Sequence, residues 1–200
     1  MMVTILSAST SGIVSAFAKP LVMQTFSKTN RYDVGALSNG ILAGLVAITG
    51  VCDRCEPWAS VAIGAIGGIV YVLACRFSAK IGVDDPVEAS QVHGFCGIWG
   101  LIAVGIFDNE KGLMSSSPES WSYLVWQIVG MIIILAWATV ISVLYFLLMR
   151  KFKMLRVSLL EEVIGLDAAE MGEKALVISR INEQIIKSQA LEQIEEAALD

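Results

Sequence analysis

The chain alternates between long apolar stretches and short polar segments. Five stretches are candidates for membrane spans, at residues 3–18, 35–51, 57–75, 89–107 and 121–149. The segments between them, such as KTNRYD, CDRCE and RFSAKIGVDDP, are charged or turn-forming. A bilayer core about 30 Å thick needs roughly 20 helical residues to cross it. The pattern therefore predicts an all-α fold, a polytopic transmembrane helix bundle of about five spans, the first two of them short.

Composition supports an integral membrane protein. Of the 200 residues, 56% are hydrophobic and only 16% are charged, and the mean hydropathy is +0.69. A typical soluble domain has roughly 25% charged residues. These values exclude a soluble domain, a disordered chain and a small disulfide scaffold. The sequence has no basic patch with interleaved aromatic residues, so we expect no nucleic-acid partner.

The charges divide the chain into two parts. Residues 1–156 hold 11 Lys and Arg against 9 Asp and Glu, whereas residues 157–200 hold 3 against 10. We therefore predict a transmembrane domain at 1–156 and an acidic, partly helical tail at 157–200. The loops after spans one, three and five carry nine Lys and Arg, and the other side carries two. The positive-inside rule places the richer side, with the C-terminal tail, in the cytoplasm. Two hypotheses remain open for the tail: a docking or coiled-coil helix, or a solvated segment.

The fourth predicted span contains His93, which is the only histidine in the chain. Ionisable residues at membrane depth are rare and usually face a cavity or a conduction path. Removal from water favours neutral imidazole, which offers one hydrogen-bond donor and one acceptor. Such a group suits a small polar molecule that both donates and accepts. The alternative is a structural histidine that donates to a carbonyl of a neighbouring helix.

A single histidine also limits the chemistry of the chain. No second histidine or carboxylate lies at helical spacing from His93, so we expect no metal site and no cofactor. No nucleophile has a base partner, so we expect no enzymatic activity. Cys52 and Cys55 form a C-x2-C pair on the predicted outer side. This pair is compatible with a local disulfide or with two free thiols.

The tripeptide Asp84-Asp85-Pro86 precedes the fourth predicted span. Carboxylates are favourable near the positive end of a helix dipole, and proline is tolerated in the first helical turn. The tripeptide therefore predicts a helix start, with Asp85 as the N-cap residue.

Several motifs together indicate a family. The segment DDPVEASQVHGFCGIWGLIAVGIF resembles the penultimate-helix signature of the ammonium transporter family (Amt/Mep/Rh). LSNGILAGLVAIT and PWASVAIGAIGGIVYVLA resemble the two helices before that signature. GLDAAEMGE is similar to the GLDxxxHGE motif that follows the last helix, with Met171 in place of the family histidine. The matching tail residues are Gly165, Leu166, Asp167, Gly172 and Glu173.

The resemblance covers roughly residues 1–173 and implies the C-terminal part of a family member, equivalent to helices seven to eleven. It implies transport of ammonium or ammonia through a hydrophobic pore. His93 matches the second of two pore histidines, Thr49 matches a pore-facing position, and Glu88 matches a position near the pore exit. Family members lie in the lipid bilayer and form trimers. We therefore expect a plasma-membrane protein that forms a homotrimer or assembles with full-length subunits.

The first six family helices, with the other pore histidine, have no counterpart in this sequence. The chain is therefore expected to be incomplete as a pore. Two alternatives to transport remain. One is a non-conducting protein of the same ancestry that acts as a sensor or an assembly partner. The other is a membrane subunit of unrelated function in which His93 is structural.

Overall fold

The computed structural model describes residues 1–23, 33–157 and 162, and the regular structure among them is helical. The elements are α1 (Met2–Met23), α2 (Val34–Ile48), α3 (Pro57–Ile81), a π-helical segment (Ser90–Phe95) that continues into α4 (Cys96–Phe107), a 3-10 turn (Leu113–Ser115) and α5 (Ser120–Lys151). The predicted all-α helix bundle is confirmed.

Helices α1, α2 and α3 differ in length from the predicted spans, and α3 ends at Ile81 rather than at residue 75. In the described part of the chain, four helical segments are long and apolar enough to cross a membrane: Met2–Met23, Pro57–Ile81, Ser90–Phe107 and Ser120–Lys151. Helix α2 has 15 residues and is therefore about 22 Å long. It ends at Ile48 rather than at residue 51, because the following residues form turns. Helix α1 extends beyond residue 18 and includes Lys19 and Pro20.

Local sequence signals explain where the helices begin and end. The carboxylate of Asp33 accepts a hydrogen bond from the Ala36 amide at 3.1 Å and so caps α2. Pro57 occupies the first turn of α3, where its missing N–H costs nothing. Helix α3 ends at Gly82, whose φ of 72° is left-handed and favours glycine.

Helix α1 packs through a stripe of small polar residues. Ser7, Ser11 and Ser15 follow one another at one-turn spacing and are fully buried. They face glycines of both neighbouring helices: Gly40 and Gly44 of α2, and Gly64 and Gly68 of α3. Small residues let membrane helices approach closely, so that van der Waals packing holds them together.

Two apolar clusters fill the spaces between α2, α3 and the segment from Ser90 to Phe107. One consists of Ala47, Ile48, Val51, Ala59, Ile63, Ala103, Val104 and Phe107. The other consists of Ala43, Tyr71, Val72, Cys75, Val92 and Cys96. The second cluster lies beside the π-helical segment and therefore supports the residues around His93.

The described chain divides into two units, residues 1–137 and residues from 138 onward. The first unit contains α1 to α4 and the beginning of α5. The second contains the rest of α5, where Tyr145 and Phe146 make an edge contact with ring centroids 5.5 Å apart. Along the whole of α5 only Ser120 is buried. A helix that is apolar on all sides is typical of one surrounded by lipid or other protein.

Candidate functional site

His93 lies on the exposed side of the π-helical segment Ser90–Phe95. The opposite side of this segment is packed, since Gln91, Val92 and Cys96 are all buried. Next to the histidine, a Cβ atom added at Gly94 would have no heavy atom within 4 Å. The histidine therefore lies on an open, small-residue surface of the unit formed by residues 1–137.

π-Helical turns are rare in proteins, and those that occur are often found at functional sites. The extra residue in such a turn changes which side chains share a face of the helix. Here the turn ends at Phe95, whose ring makes an edge contact with Phe77 of α3 at a centroid distance of 6.1 Å. The buried residues Gln91, Val92 and Cys96 pack the other side of the turn, while His93 is exposed. Because the His93 side chain is exposed, the backbone of the π-helical turn determines where the imidazole lies.

Thr49, the second predicted pore residue, is exposed but lies at a different height from His93. Its hydroxyl donates to the carbonyl of Val46 at 2.8 Å, at the end of α2. The nearest heavy atom to a Cβ placed on Gly97 would be Val46 Cγ1 at 4.0 Å, and a Cβ on Gly50 would lie 2.6 Å from Val104 Cγ2. Helices α2 and α4 therefore run side by side in the same direction. Thr49 is level with the later part of α4, about two turns beyond His93.

The carboxylate of Asp85 satisfies the first donors of the fourth helix. It accepts hydrogen bonds from the amides of Ala89 at 3.0 Å and Ser90 at 2.8 Å, and from the Ser90 hydroxyl at 2.6 Å. These donors are the ones that a helix start leaves without internal partners. The Ser90 hydroxyl and amide, followed by the Ala89 amide, lower the pKa of Asp85 despite some desolvation.

The prediction that Pro86 stands in the first helical turn was wrong. The π-helical segment begins at Ser90, and Pro86 lies in a separate turn before it. The reason is Glu88, whose φ of 59° is left-handed and incompatible with a continuous right-handed helix. Its amide donates to the Asp85 carbonyl at 3.1 Å and closes that turn. Asp84 is exposed in the same loop.

A polar cluster formed by Lys19, Asn39, Tyr71 and Glu88 was missed by the sequence analysis. Lys19 Nζ lies 2.6 Å from Glu88 Oε1 and donates to the Tyr71 hydroxyl at 3.0 Å. Asn39 Nδ2 donates to Glu88 Oε2 at 2.9 Å, and the Tyr71 hydroxyl donates to the same oxygen. The Lys19 side chain is only 11% exposed and that of Glu88 21% exposed. Lys19 was expected in a loop, yet it continues the four-residue spacing of the buried serines on α1, and that spacing was the available signal.

The ionised form of Glu88 is favoured inside this cluster. Burial alone would raise the pKa of the Glu88 carboxyl, but three hydrogen bonds and the charge of Lys19 outweigh it and lower that pKa. A buried charge is tolerated when it is paired and hydrogen-bonded. The network therefore holds a carboxylate and an ammonium group together among three helices, five residues before His93.

Asp108 organises the loop that follows α4. Its carboxylate is almost fully buried and accepts hydrogen bonds from the amides of Glu110 at 2.8 Å and Lys111 at 3.0 Å. The hydroxyl of Tyr123, near the start of α5, donates to the other carboxylate oxygen at 3.2 Å. Arg54 Nη1 lies 3.8 Å from that same oxygen. These contacts make Asp108 a structural residue of this end of the bundle.

The cysteines among the described residues are free thiols. Cys52 and Cys55 are partly exposed, whereas Cys75 and Cys96 are buried. The tail motif at Gly165, Leu166, Asp167, Gly172 and Glu173 lies outside the described residues, so its role stays a prediction, as does the boundary at residue 157.

Comparison with known proteins identifies relatives along most of this chain. Residues 1–176 match the Ammonium Transporter Family. The chain is 38% identical over 177 residues to "Ammonium transporter Amt2" of Archaeoglobus fulgidus, covering 84% of this chain and 38% of that protein. It is 34% identical over 184 residues to "Ammonium transporter 1 member 3" of Solanum lycopersicum, covering 84% and 39%.

Solved structures give the same result. Candida albicans Mep2 superposes with a TM-score of 0.68 at 26% identity, over 88% of this chain and 40% of Mep2. Saccharomyces cerevisiae Mep2 superposes with a TM-score of 0.66 at 26% identity, over 79% and 36%. The chain thus spans about two fifths of the length of the relatives it matches. The resemblance seen in the sequence motifs is confirmed: the chain belongs to the ammonium transporter family.

Proposed function

We propose that the chain forms part of a transmembrane path for ammonium or ammonia, and that His93 lines this path. Membership of the ammonium transporter family supports the substrate. The observation that carries the assignment of His93 is its position. The chain's single histidine is exposed on an apolar helix whose other side is packed.

The chemistry of the imidazole fits ammonia. Neutral imidazole has one donor and one acceptor, and ammonia can both donate and accept. The ammonium ion is charged, and burying a charge among apolar groups is costly. Ammonium therefore transfers its proton to water before it enters the apolar path, and the uncharged ammonia passes His93. Gly94 and Gly97 on the same helix leave space beside the imidazole.

A path needs a second wall opposite His93. We propose that the rest of a family pore, in the same polypeptide or in an associated subunit, covers the face that carries His93 and Gly94. The same proposal includes a trimeric assembly in the plasma membrane, with the C-terminal tail in the cytoplasm. The nine Lys and Arg that follow the first, third and fifth predicted spans in the sequence support this orientation.

Uptake by a chimera tests the proposal. Residues 1–176 of this chain would replace the matching segment of the Archaeoglobus Amt2 relative, in cells that lack their own ammonium transporters. We expect growth on low ammonium and uptake of radiolabelled methylammonium above that of cells with an empty vector. The unmodified relative is the positive control. The 200-residue chain expressed alone shows whether it conducts without the rest of a family pore. A chimera that reaches the membrane and assembles but gives no uptake would contradict the proposal and support the non-conducting alternative.

A further inference from the structure

The carboxylate of Glu88 joins three helices to the chain that leads into the π-helical segment. Lys19 of α1 donates to one carboxylate oxygen at 2.6 Å, and Asn39 of α2 donates to the other at 2.9 Å. The Tyr71 hydroxyl of α3 donates to that second oxygen and accepts from Lys19 Nζ at 3.0 Å. The four side chains therefore form one connected network around Glu88.

The backbone of Glu88 is fixed as firmly as its side chain. Its amide donates to the Asp85 carbonyl at 3.1 Å, and its carbonyl accepts from the Val92 amide at 3.0 Å. Asn39 Nδ2 also donates to the carbonyl of Val87 at 3.3 Å. Glu88 has a φ of 59°, so the chain turns sharply there before the helical turn begins. Glu88 is thus the residue at which the turn ends and the helical hydrogen bonds start.

Gln91 gives a second anchor on the buried side of the same turn. Oriented to satisfy its neighbours, its amide nitrogen donates to the Glu88 carbonyl at 3.1 Å and to the Asp85 carboxylate at 2.8 Å. Its amide oxygen accepts from the Ser78 hydroxyl of α3 at 3.1 Å. The backbone from Glu88 to Gln91 is therefore held from both its side chains and its main chain.

His93 is not fixed by side-chain hydrogen bonds in this way. Its side chain is exposed, and among the residues that the structure describes no group hydrogen-bonds to the imidazole. The direction of the imidazole therefore depends on the backbone of the π-helical turn, whose first helical hydrogen bond runs from the Val92 amide to the Glu88 carbonyl.

We propose that Glu88 is a positioning residue for His93, which acts through the network of Lys19, Asn39 and Tyr71 to fix the backbone of the π-helical turn. The network need not touch the transported molecule. Its importance for transport rests on the proposed function, whereas its effect on the imidazole does not.

The single histidine makes this inference directly measurable. The full chain would be labelled with isotope-enriched histidine and studied by NMR in lipid nanodiscs, where every imidazole signal comes from His93. We expect Glu88→Gln to shift the imidazole signals or to split them into more than one set. The matched control is Asp84→Asn, the same chemical change at an exposed position of the same loop. Its spectrum is expected to coincide with that of the unmodified chain.

If Glu88 only stabilised the packing of the helices, its substitution would leave the imidazole signals of His93 unchanged. If Glu88→Gln keeps the helical content and the imidazole signals of the unmodified chain, the proposal is overturned. If Glu88→Gln does not fold, Tyr71→Phe decides, because it keeps the buried ring and removes only the hydroxyl that bridges Lys19 and Glu88. Tyr71→Phe is expected to shift the same signals, and unchanged signals in a folded Tyr71→Phe chain would also overturn the proposal.

Uptake by the chimera separates this inference from the proposed function. If both hold, Glu88→Gln lowers methylammonium uptake about threefold or more relative to Asp84→Asn. If His93→Ala leaves uptake unchanged, the proposed function fails, and the NMR result still tests Glu88. If His93→Ala abolishes uptake and Glu88→Gln leaves both uptake and the imidazole signals unchanged, only the positioning role fails.

Discussion

Gly64 of α3 lies directly against the main chain of Ser7 of α1. A Cβ atom added at Gly64 would lie 2.8 Å from Ser7 Cα and closer still to the Ser7 carbonyl oxygen. No side-chain movement can relieve this contact, because both groups belong to the backbone. The close approach of α1 and α3 therefore requires glycine at this position.

Gly64→Ala is expected to separate α1 from α3 and to lower the free energy of unfolding by about 1–3 kcal/mol, the usual cost of overpacking. Thermal unfolding of the purified protein in detergent measures the change. Gly130→Ala on α5 is the matched control, because a Cβ there meets no heavy atom within 4 Å. Alanine at that position is expected to leave stability unchanged or to raise it by up to about 1 kcal/mol. Equal melting temperatures for Gly64→Ala and the unmodified chain would show that the helices are not packed this closely.

Asp108→Ala is expected to destabilise the loop after α4. The substitution leaves the amides of Glu110 and Lys111 and the hydroxyl of Tyr123 without their acceptor. An unsatisfied buried donor costs about 1–3 kcal/mol. Asp108→Asn keeps one acceptor oxygen and is expected to cost less. Asp53→Asn, at a carboxylate with 71% exposure, is the control in the same region and is expected to have no effect. An Asp108→Ala protein as stable as this control would contradict the role of Asp108.

Protonation of Glu88 is expected to lower the stability of the chain at pH values below about 4. The network lowers the pKa of the folded Glu88 carboxyl below that of the unfolded chain, which is about 4.3. The stabilisation is therefore fully present above the unfolded pKa and is lost as the pH falls through the folded pKa.

Glu88→Gln removes the titrating carboxyl and so tests whether Glu88 causes the dependence of stability on pH. At neutral pH the variant is expected to be less stable by about 1.5–3 kcal/mol, the range for hydrogen bonds to a charged group. The difference in melting temperature between the two proteins should shrink as the pH is lowered from about 5 to about 2, because the folded Glu88 carboxyl is protonated only below the pKa of the unfolded chain. A difference that stays constant over this range would show that Glu88 is not the group that titrates.

Thiol labelling tests both the packing and the orientation of the chain. Cys52 and Cys55 are partly exposed and lie between α2 and α3, whereas Cys75 and Cys96 are buried. A membrane-impermeant maleimide applied to intact cells is expected to modify the first pair only. Burial, followed by the neighbouring Cys52, raises the pKa of the Cys55 thiol, so its labelling is expected to be slow at neutral pH and faster in mild base. Labelling of the pair only after the cells are broken open would place this loop in the cytoplasm and reverse the proposed orientation.

The fold could be predicted from the sequence because the apolar core of the bilayer requires long apolar helices, and polar loops lie outside it. The apolar stretches, Pro57 at a helix start and Gly82 at a helix end are local signals, and each one corresponds to a helix or a helix boundary in the structure. The family could be recognised because the segment around His93 forms a continuous motif.

The polar network could not be predicted in the same way. The network consists of Lys19, Asn39, Tyr71 and Glu88, which lie on three helices and a loop. The pairs that hydrogen-bond are 17 to 69 positions apart in the sequence. Only the packing of these elements brings the side chains together. The left-handed backbone of Glu88 also has no local signature, since glutamate is not a residue that favours this conformation. It therefore shifted the helix start past Pro86, where the sequence had predicted a continuous first turn.

Because His93 is exposed, its substitution can test transport without changing the stability of the protein. The side chain is exposed and lies beside a glycine with open space around it. Replacing it with alanine is therefore expected to change the free energy of unfolding by less than about 0.5 kcal/mol, as for other surface substitutions. A loss of transport in such a variant could not be explained by unfolding.

The most direct test of the central claim is the rate of methylammonium uptake by the chimera with His93→Ala, normalised to the amount of assembled protein in the membrane. We expect a melting temperature equal to that of the unmodified chimera and an uptake rate lower by about tenfold or more. Uptake at the unmodified rate, by a protein present at the same level, would contradict the claim that His93 lines the path for ammonium or ammonia.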